Sequence, residues 1–265
     1  VAHNLVLVKI RKTYPGQGLK VLNSLFGAGQ MMFSKFIIVL SDDADLRDYD
    51  SLIKQVFSNT DINNDIMLTR GPLDVLDHSS DSFSFGGKMG IDATLKFDEE
   101  HGENKGGNFR PEALLSVFKP LSNKVRFNMP FPDLPLVFAG INKEAVLFTQ
   151  VLELDFRIRG LILIVVDDTI DLDNKRILLW QVLSNTDPVR DLKEIKDNII
   201  IDSTSRTHPS DGFRRSWPNI VISDDDTISA VDEIMQKISP GEIIPSPSSG
   251  LKKMDRGGGA SVKLP

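Results

Sequence analysis

The chain has 265 residues, 40% hydrophobic and 26% charged, with a formal net charge of -6 at pH 7. That supplies one large core or two modest ones, and an acidic balance repels a phosphate backbone, so nucleic acid is not an expected partner. There is no cysteine and no apolar run near the roughly 18 residues that a bilayer crossing needs, so neither a disulfide framework nor a transmembrane segment is expected, and the cytoplasm is the expected compartment.

The chain opens at Val1 without an initiator methionine, just ahead of a strand, which reads as the start of a cut chain. Residues 5–10 are a short apolar run suited to a buried strand, Pro15 and Gly16 turn the chain, and residues 17–26 carry apolar positions at helical spacing. Residues 35–40 repeat the buried-strand pattern. Asp48 is placed to cap a helix through residue 57, because a carboxylate accepts from the free amides of a first turn. Residues 64–69 make one more short strand, and this alternation predicts right-handed crossovers on a largely parallel sheet. Residues 69–92 then read as one long loop. Such a loop is uncommon in a compact lobe without a binding or lid role, and Gly86, Gly87 and Gly90 would let its backbone approach a ligand.

The second half repeats the first. Phe36-Ile37-Ile38-Val39-Leu40-Ser41-Asp42-Asp43 is echoed by Leu161-Ile162-Leu163-Ile164-Val165-Val166-Asp167-Asp168, and Gln55-Val56-Phe57-Ser58-Asn59-Thr60-Asp61 by Gln181-Val182-Leu183-Ser184-Asn185-Thr186-Asp187. The offset moves only from 125 to 126 between them, so both copies should share one order of elements. Ile91-Asp92-Ala93-Thr94 returns as Ile201-Asp202-Ser203-Thr204, with Lys96 answered by Arg206. The second copy is expected to run as strand 136–141, helix 144–154, strand 161–166, helix 173–183 and strand 199–201, with residues 192–198 in place of the long loop.

The expected fold is therefore α/β, a layered sheet flanked by helices and duplicated into two similar lobes: a first lobe over 1–98, a connection over 99–135 holding Gly102, Gly106, Gly107 and some helix at 111–118, a second lobe over 136–238 ending in an acidic-capped helix, and a C-terminal arm over 239–265. The arm, rich in Pro, Gly and Ser, reads as extended or mobile.

Two local motifs bear two readings each. Asp42-Asp43 and Asp167-Asp168 lie beyond the carboxyl ends of strands, where carboxylates can hold a divalent metal; equally, Asp43, Asp45 and Asp48 suit capping of the next helix. His78 can act as acid, base or hydrogen-bond donor, or be a solvated loop residue, and Lys88 stands alike. Gly27-Ala28-Gly29-Gln30 lacks the Lys-Ser/Thr of a phosphate loop and reads as a helix end. His208 reads as a surface residue.

Taken in order, Ile10-Arg11-Lys12-Thr13-Tyr14-Pro15-Gly16, the run from Met32 to Asp43, Leu73-Asp74-Val75-Leu76-Asp77-His78 and Gly87-Lys88-Met89-Gly90-Ile91-Asp92-Ala93-Thr94 resemble the C-terminal half of UbiD-type decarboxylases, relatives of 3-octaprenyl-4-hydroxybenzoate carboxy-lyase. Residues 201–206 and 212–219 resemble that family's ending, displaced into the second copy. The resemblance implies non-oxidative decarboxylation of an aromatic, hydroxybenzoate-like acid, in ubiquinone or menaquinone synthesis, with prenylated FMN, Mn2+ and K+ as cofactors. It implies that the Glu-Arg-Glu catalytic set and the metal ligands belong to an N-terminal half outside this chain. The chain alone would then be inactive, holding no catalytic or metal-binding residue, and its partners would be its own N-terminal domain, a further subunit and the small aromatic acid. Carried over by position, Phe33, Ser34, Phe36, Leu76 and His78 would line the substrate pocket, and Gln30, Lys35 and Lys88 would face the cofactor. The rival expectation is a non-catalytic oligomerisation scaffold built from the duplicated lobe.

Overall fold

Alternation along residues 36–41 sends Ile37 and Val39 to one side and Ile38 and Leu40 to the other, so the strand is buried on both faces and needs helices on both. The computed structural model, which describes residues 4–100, 111–156, 158–238, 241, 246–257 and 259–262, supplies them. Helix α1 (Gln17–Phe26) packs on Ile37 and Val39 together with Val6 and Val8, and α2 (Tyr49–Asn59) packs on Leu40, Ala93 and Ile38. Asp48 caps α2 as expected, accepting from Ser51 N at 3.1 Å and from its hydroxyl at 2.6 Å. Asp45 accepts from Arg47 N. Among the described residues no cluster of three or more His, Cys, Asp or Glu could hold a metal ion.

The first sheet has the order β1 (Leu5–Ile10), β2 (Phe36–Ser41), β4 (Phe85–Ala93), β3 (Ile66–Pro72); β1, β2 and β4 run parallel and β3 is antiparallel to β4. This corrects the expected loop over 69–92. Its second half is an interior strand, and the loop proper is only residues 73–84. Glycine is depleted in strands, and three glycines concealed this one. Gly90 has a packing reason: a Cβ there would lie 2.9 Å from Leu22 Cδ2 of α1.

The second sheet repeats the topology. Strands β6 (Leu136–Ile141), β7 (Ile162–Asp167), β9 (Asn198–Asp202) and β8 (Leu192–Ile195) stand in the order of β1, β2, β4 and β3, with the same sense of pairing, and β5 (Val125–Asn128) adds an antiparallel edge beside β6. Local bonds repeat as well. Asp92 Oδ1 accepts from Thr94 N and Oγ1 at 3.0 and 2.5 Å, and Asp202 Oδ1 from Thr204 N and Oγ1 at 3.1 and 2.6 Å.

The copies differ in their hairpins. Strands β8 and β9 are joined by two residues, Lys196 and Asp197, at φ 49° and 63°, the doubly left-handed turn that suits strand twist. Residues 192–198 are thus a hairpin rather than a loop. The helix expected over 144–154 is also shorter. Asn142 ties up the following backbone, its side chain accepting from Glu144 N and its carbonyl from Ala145 N and Val146 N, so only Phe148–Leu152 is helical (α4, after α3, Pro111–Phe118). Helices α5 (Lys175–Asn185) and α6 (Pro188–Asp191) complete this lobe. Its core gathers Leu114 and Phe118 of α3, Val125 of β5, Val137 and Ala139 of β6, and Leu163 and Val165 of β7, so the segment expected as a connection with some helix contributes that helix, and a strand besides, to the core.

Both sheets lie in one compact unit, Val1–Ser205; Arg206–Pro265 form another, so the division falls before the expected boundary at 238. The second unit carries α7 (Asp225–Ile238), its first turn capped by Asp224, which accepts from Thr227 N at 2.7 Å, and α8 (Pro247–Leu251). The described tail is not extended. Val262 N donates to Trp217 O, Asn219 N to Ala260 O, and Asn219 Nδ2 to Asp255 Oδ1, so the chain folds back on 217–219. Val1 to His3, Gly102, Gly106, Gly107 and tail residues 239, 240, 242–245, 258 and 263–265 lie outside the described residues. Among those described, no helix is long and apolar enough to cross a membrane.

Candidate functional site

The expected site residues come from three pieces at one end of the first sheet: the 3-10 turn Gly29–Phe33, the start of β2, and the loop 73–84 with the start of β4. Within a buried strand pair, lysine is the least expected residue, yet Lys35 and Lys88 are each only 1% exposed. Both ammonium groups hydrogen-bond inside the protein. Lys35 Nζ lies 3.3 Å from Asp77 Oδ1, donates to Ser79 Oγ at 2.8 Å, and reaches Ser184 O at 3.4 Å. Burial pushes its pKa down, and Asp77 beside it, with Asp187 and Asp191 beyond, pulls it back. Lys88 Nζ donates to Met32 O at 2.5 Å and Ser34 O at 2.6 Å and stands over the Phe26 ring. Burial lowers it to about 8. Lys88 therefore pins the carbonyls of the 3-10 turn to the strand.

Of the three residues expected to face a cofactor, Gln30 alone is exposed. Lys35 gives its hydrogen bonds to Asp77, Ser79 and Ser184 O, and Lys88 gives two of its three to Met32 O and Ser34 O. Phe36 is buried against Met89 and against Leu183 of the second lobe, in a cluster that joins the lobes. Ser34 is buried as well, with its carbonyl on Lys88, and Phe33 is half-buried.

The loop itself divides in two. Leu73, Asp77, Ser79 and Ser80 are buried, whereas Val75, Leu76 and Phe83 stand exposed, with Phe85 at the foot of β4. His78, half-buried between them, has Nε2 3.2 Å from Asn185 Oδ1. The Asn185 amide is oriented by its nitrogen, which donates to Gln181 Oε1 and Ser203 O; its oxygen thus faces His78, and Nε2 carries the hydrogen. An apolar tip beside an oriented imidazole can pack on an aromatic ring and hydrogen-bond a polar substituent.

Reasoning from the sequence missed Asn185, Asp187 and Arg190. Asp187 Oδ2 accepts from Gly87 N at 3.0 Å, and Arg190 Nη1 donates to Asp81 Oδ1 at 2.8 Å. Burial works against the Arg190 charge, but its bonds to Asp191 and Asp81 prevail and raise its pKa. The available signal was the retention of Gln-Val-x-Ser-Asn-Thr-Asp in both copies. Gly86 and Gly87 are explained here as well: a Cβ on Gly87 would fall 2.1 Å from Asp187 Oδ1 and 2.7 Å from Val189 N. They admit the second lobe.

Residues 1–93 match the family model of the 3-octaprenyl-4-hydroxybenzoate carboxy-lyase C-terminal domain. A protein of Helicobacter pylori (strain J99), described only as uncharacterized, is 31% identical over 228 residues, 82% of this chain and 36% of that protein. An uncharacterized protein of Aquifex aeolicus is 42% identical over 98 residues, 37% of this chain and 20% of its own length. The chain therefore spans little more than a third of the longer match and a fifth of the other. Among solved structures, vanillic acid decarboxylase of Sedimentibacter hydroxybenzoicus is similar at 21% identity over 44% of this chain and 26% of that one, with a TM-score of 0.35. The UbiD-class enzyme HmfF of Pelotomaculum thermopropionicum, in complex with FMN, is similar at 18% identity over 43% and 25%, with a TM-score of 0.33. The match to the UbiD-type carboxy-lyase C-terminal domain thus falls on residues 1–93, the first lobe up to the end of β4.

Proposed function

We propose that this chain is the C-terminal part of a UbiD-type non-oxidative decarboxylase of an aromatic, hydroxybenzoate-like acid, and that its first lobe forms one wall of the substrate pocket. The observation that carries this reading is the family match over 1–93 joined to the exposed tip Val75, Leu76 and Phe83 beside His78. In it, Leu76 and Phe83 pack on the ring and exclude water, and the His78 imidazole hydrogen-bonds a phenolic oxygen. Prenylated FMN supplies the electron sink for loss of carbon dioxide. In this reading it, Mn2+ and K+ are held by an N-terminal half of the same protein, as the resemblance to the family implies. The acid–base residues belong there too. The compartment is the cytoplasm, and the pathway is quinone synthesis.

The test is turnover of a 4-hydroxybenzoate-type acid by the full-length, cofactor-loaded protein. His78→Ala should lower kcat/KM about tenfold, the worth of one substrate hydrogen bond, while sedimentation stays unchanged. Full activity in that variant would sink the pocket assignment.

A second reading, an assembly scaffold, is favoured by one surface. Val231, Ile234, Met235 and Ile238 of α7 are all exposed and recur at the spacing of a single helix face. Replacing Ile234 and Ile238 by Ser should shift an oligomer toward monomer. An unaltered sedimentation profile removes this reading.

A further inference from the structure

The buried half of the loop 73–84 meets one continuous stretch of the second lobe, residues 184–190. Ser184 O accepts from Lys35 Nζ at 3.4 Å, Asn185 Oδ1 stands 3.2 Å from His78 Nε2, and Thr186 O accepts from Ser79 Oγ at 3.2 Å. Asp187 Oδ2 takes the Gly87 N–H, and Arg190 reaches Asp81. We propose that the second lobe is an intramolecular brace that holds the loop 73–84 in one conformation, with Asn185, Asp187 and Arg190 as positioning residues.

The repeat shows what is specific to this arrangement. Asn59 Nδ2 donates to Ala93 O at 3.2 Å and Asp61 N to Asp65 Oδ2 at 2.7 Å; their counterparts, Asn185 Nδ2 to Ser203 O at 3.3 Å and Asp187 N to Asp191 Oδ2 at 2.8 Å, are the same bonds. These intralobe contacts build the turn in both copies. The oxygens of 184–187 that face outward are what the second copy turns on its neighbour. Its own counterpart of the loop is reduced to the Lys196–Asp197 turn, so it holds a loop and presents none. A loop with an apolar, solvent-facing tip would otherwise sample many conformations. Three anchors on the loop itself, at His78, Ser79 and Asp81, and two on its neighbours Lys35 and Gly87 restrict it before anything binds, which removes that ordering cost from the binding step. The brace itself can be measured without a substrate; its value to catalysis rests on the pocket reading above.

Amide hydrogen exchange of the chain, followed by mass spectrometry, tests it. Arg190→Ala should speed exchange in residues 73–84 by about tenfold or more, as expected when a local unit loses its anchors, while β6 and β7 exchange as before. Asp187→Asn, which keeps the side-chain oxygen that caps α6 and loses the acceptor for Gly87, should do the same. Unchanged exchange in 73–84, or acceleration spread evenly over both lobes, overturns the proposal. If Arg190→Ala does not fold, because Asp191 is left buried beside it, Asp187→Asn and Asp81→Asn decide by the same criterion. A brace that holds while His78→Ala proves harmless would leave the inference standing and the pocket reading fallen.

Discussion

Gly87 donates its backbone N–H to Asp187 Oδ2 at 3.0 Å, and the absence of a side chain on Gly87 is what allows the approach, since a Cβ would sit 2.1 Å from the other carboxylate oxygen. Asp187 cannot retreat freely, because the same oxygen accepts from Val189 N and Arg190 N. Gly87→Ala should therefore destabilise the chain by about 2–3 kcal/mol, the range for overpacking with loss of a buried hydrogen bond. Gly250→Ala in α8, where a Cβ meets nothing within 4 Å, should be neutral or stabilising by up to about 1 kcal/mol. Urea unfolding of both variants checks the contrast, and equal midpoints would refute the steric account.

Strand β4 shows how far the sequence could be read. The segments with local causes were legible: β1, α1 and β6 fall at their expected bounds, the Asp48 cap is where a carboxylate before a helical pattern should be, and α7 follows its acidic start. Gly86 and Gly87 misled because their cause is nonlocal, the entry of Asp187 from a hundred residues away. The settings of Lys35 and Lys88 were hidden for a related reason: only the fold brings Asp77 and Ser79 to the one and the carbonyls of Met32 and Ser34 to the other. His78 stood out as the single histidine of a polar loop, but its partner Asn185 was legible only as part of a repeat.

Lys35 and Asp77 form a buried pair, with side chains 2% and 3% exposed. Asp77→Asn keeps an oxygen for Ser79 N and removes the charge, leaving an ammonium in a dry site. At pH 7 this should cost about 3 kcal/mol, as for a buried ion pair deprived of one partner. The loss should shrink at alkaline pH, where Lys35, already pushed down by burial and now without its counter-charge, can fold neutral. Urea midpoints at pH 7 and pH 10 test this, and a loss equal at both would show that charge is not the cause.

Lys88 carries its own pH signature. Its pKa is about 8 in the fold against 10.5 for a free lysine, so between these values the unfolded chain binds the proton and the folded chain releases it. Stability then rises with pH from about 8 to about 10.5, and the total gain is at most about 3 kcal/mol. Below pH 8 both states are protonated and the penalty of burying the charge is fully present. Lys88→Met removes the titration. The stability of the unaltered chain relative to this variant should climb across the window, and a difference that stays flat would mean that the two carbonyls offset the burial.

Equivalent substitutions in the two lobes separate what the repeat shares from what the second copy adds. Asn59→Ala removes the bond to Ala93 O at a half-buried position and should cost about 1 kcal/mol. Asn185→Ala removes the matching bond to Ser203 O, the bond to Gln181, and the acceptor facing His78, all at a buried position, and should cost about 2–3 kcal/mol. It should also change His78. With Asn185 Oδ1 gone, nothing at that point holds the hydrogen on Nε2, so the ring nitrogen shifts in NMR should move toward a mixture of tautomers, whereas Asn59→Ala should leave them in place. Identical His78 spectra for the two variants would mean that the second lobe orders the loop without orienting its imidazole.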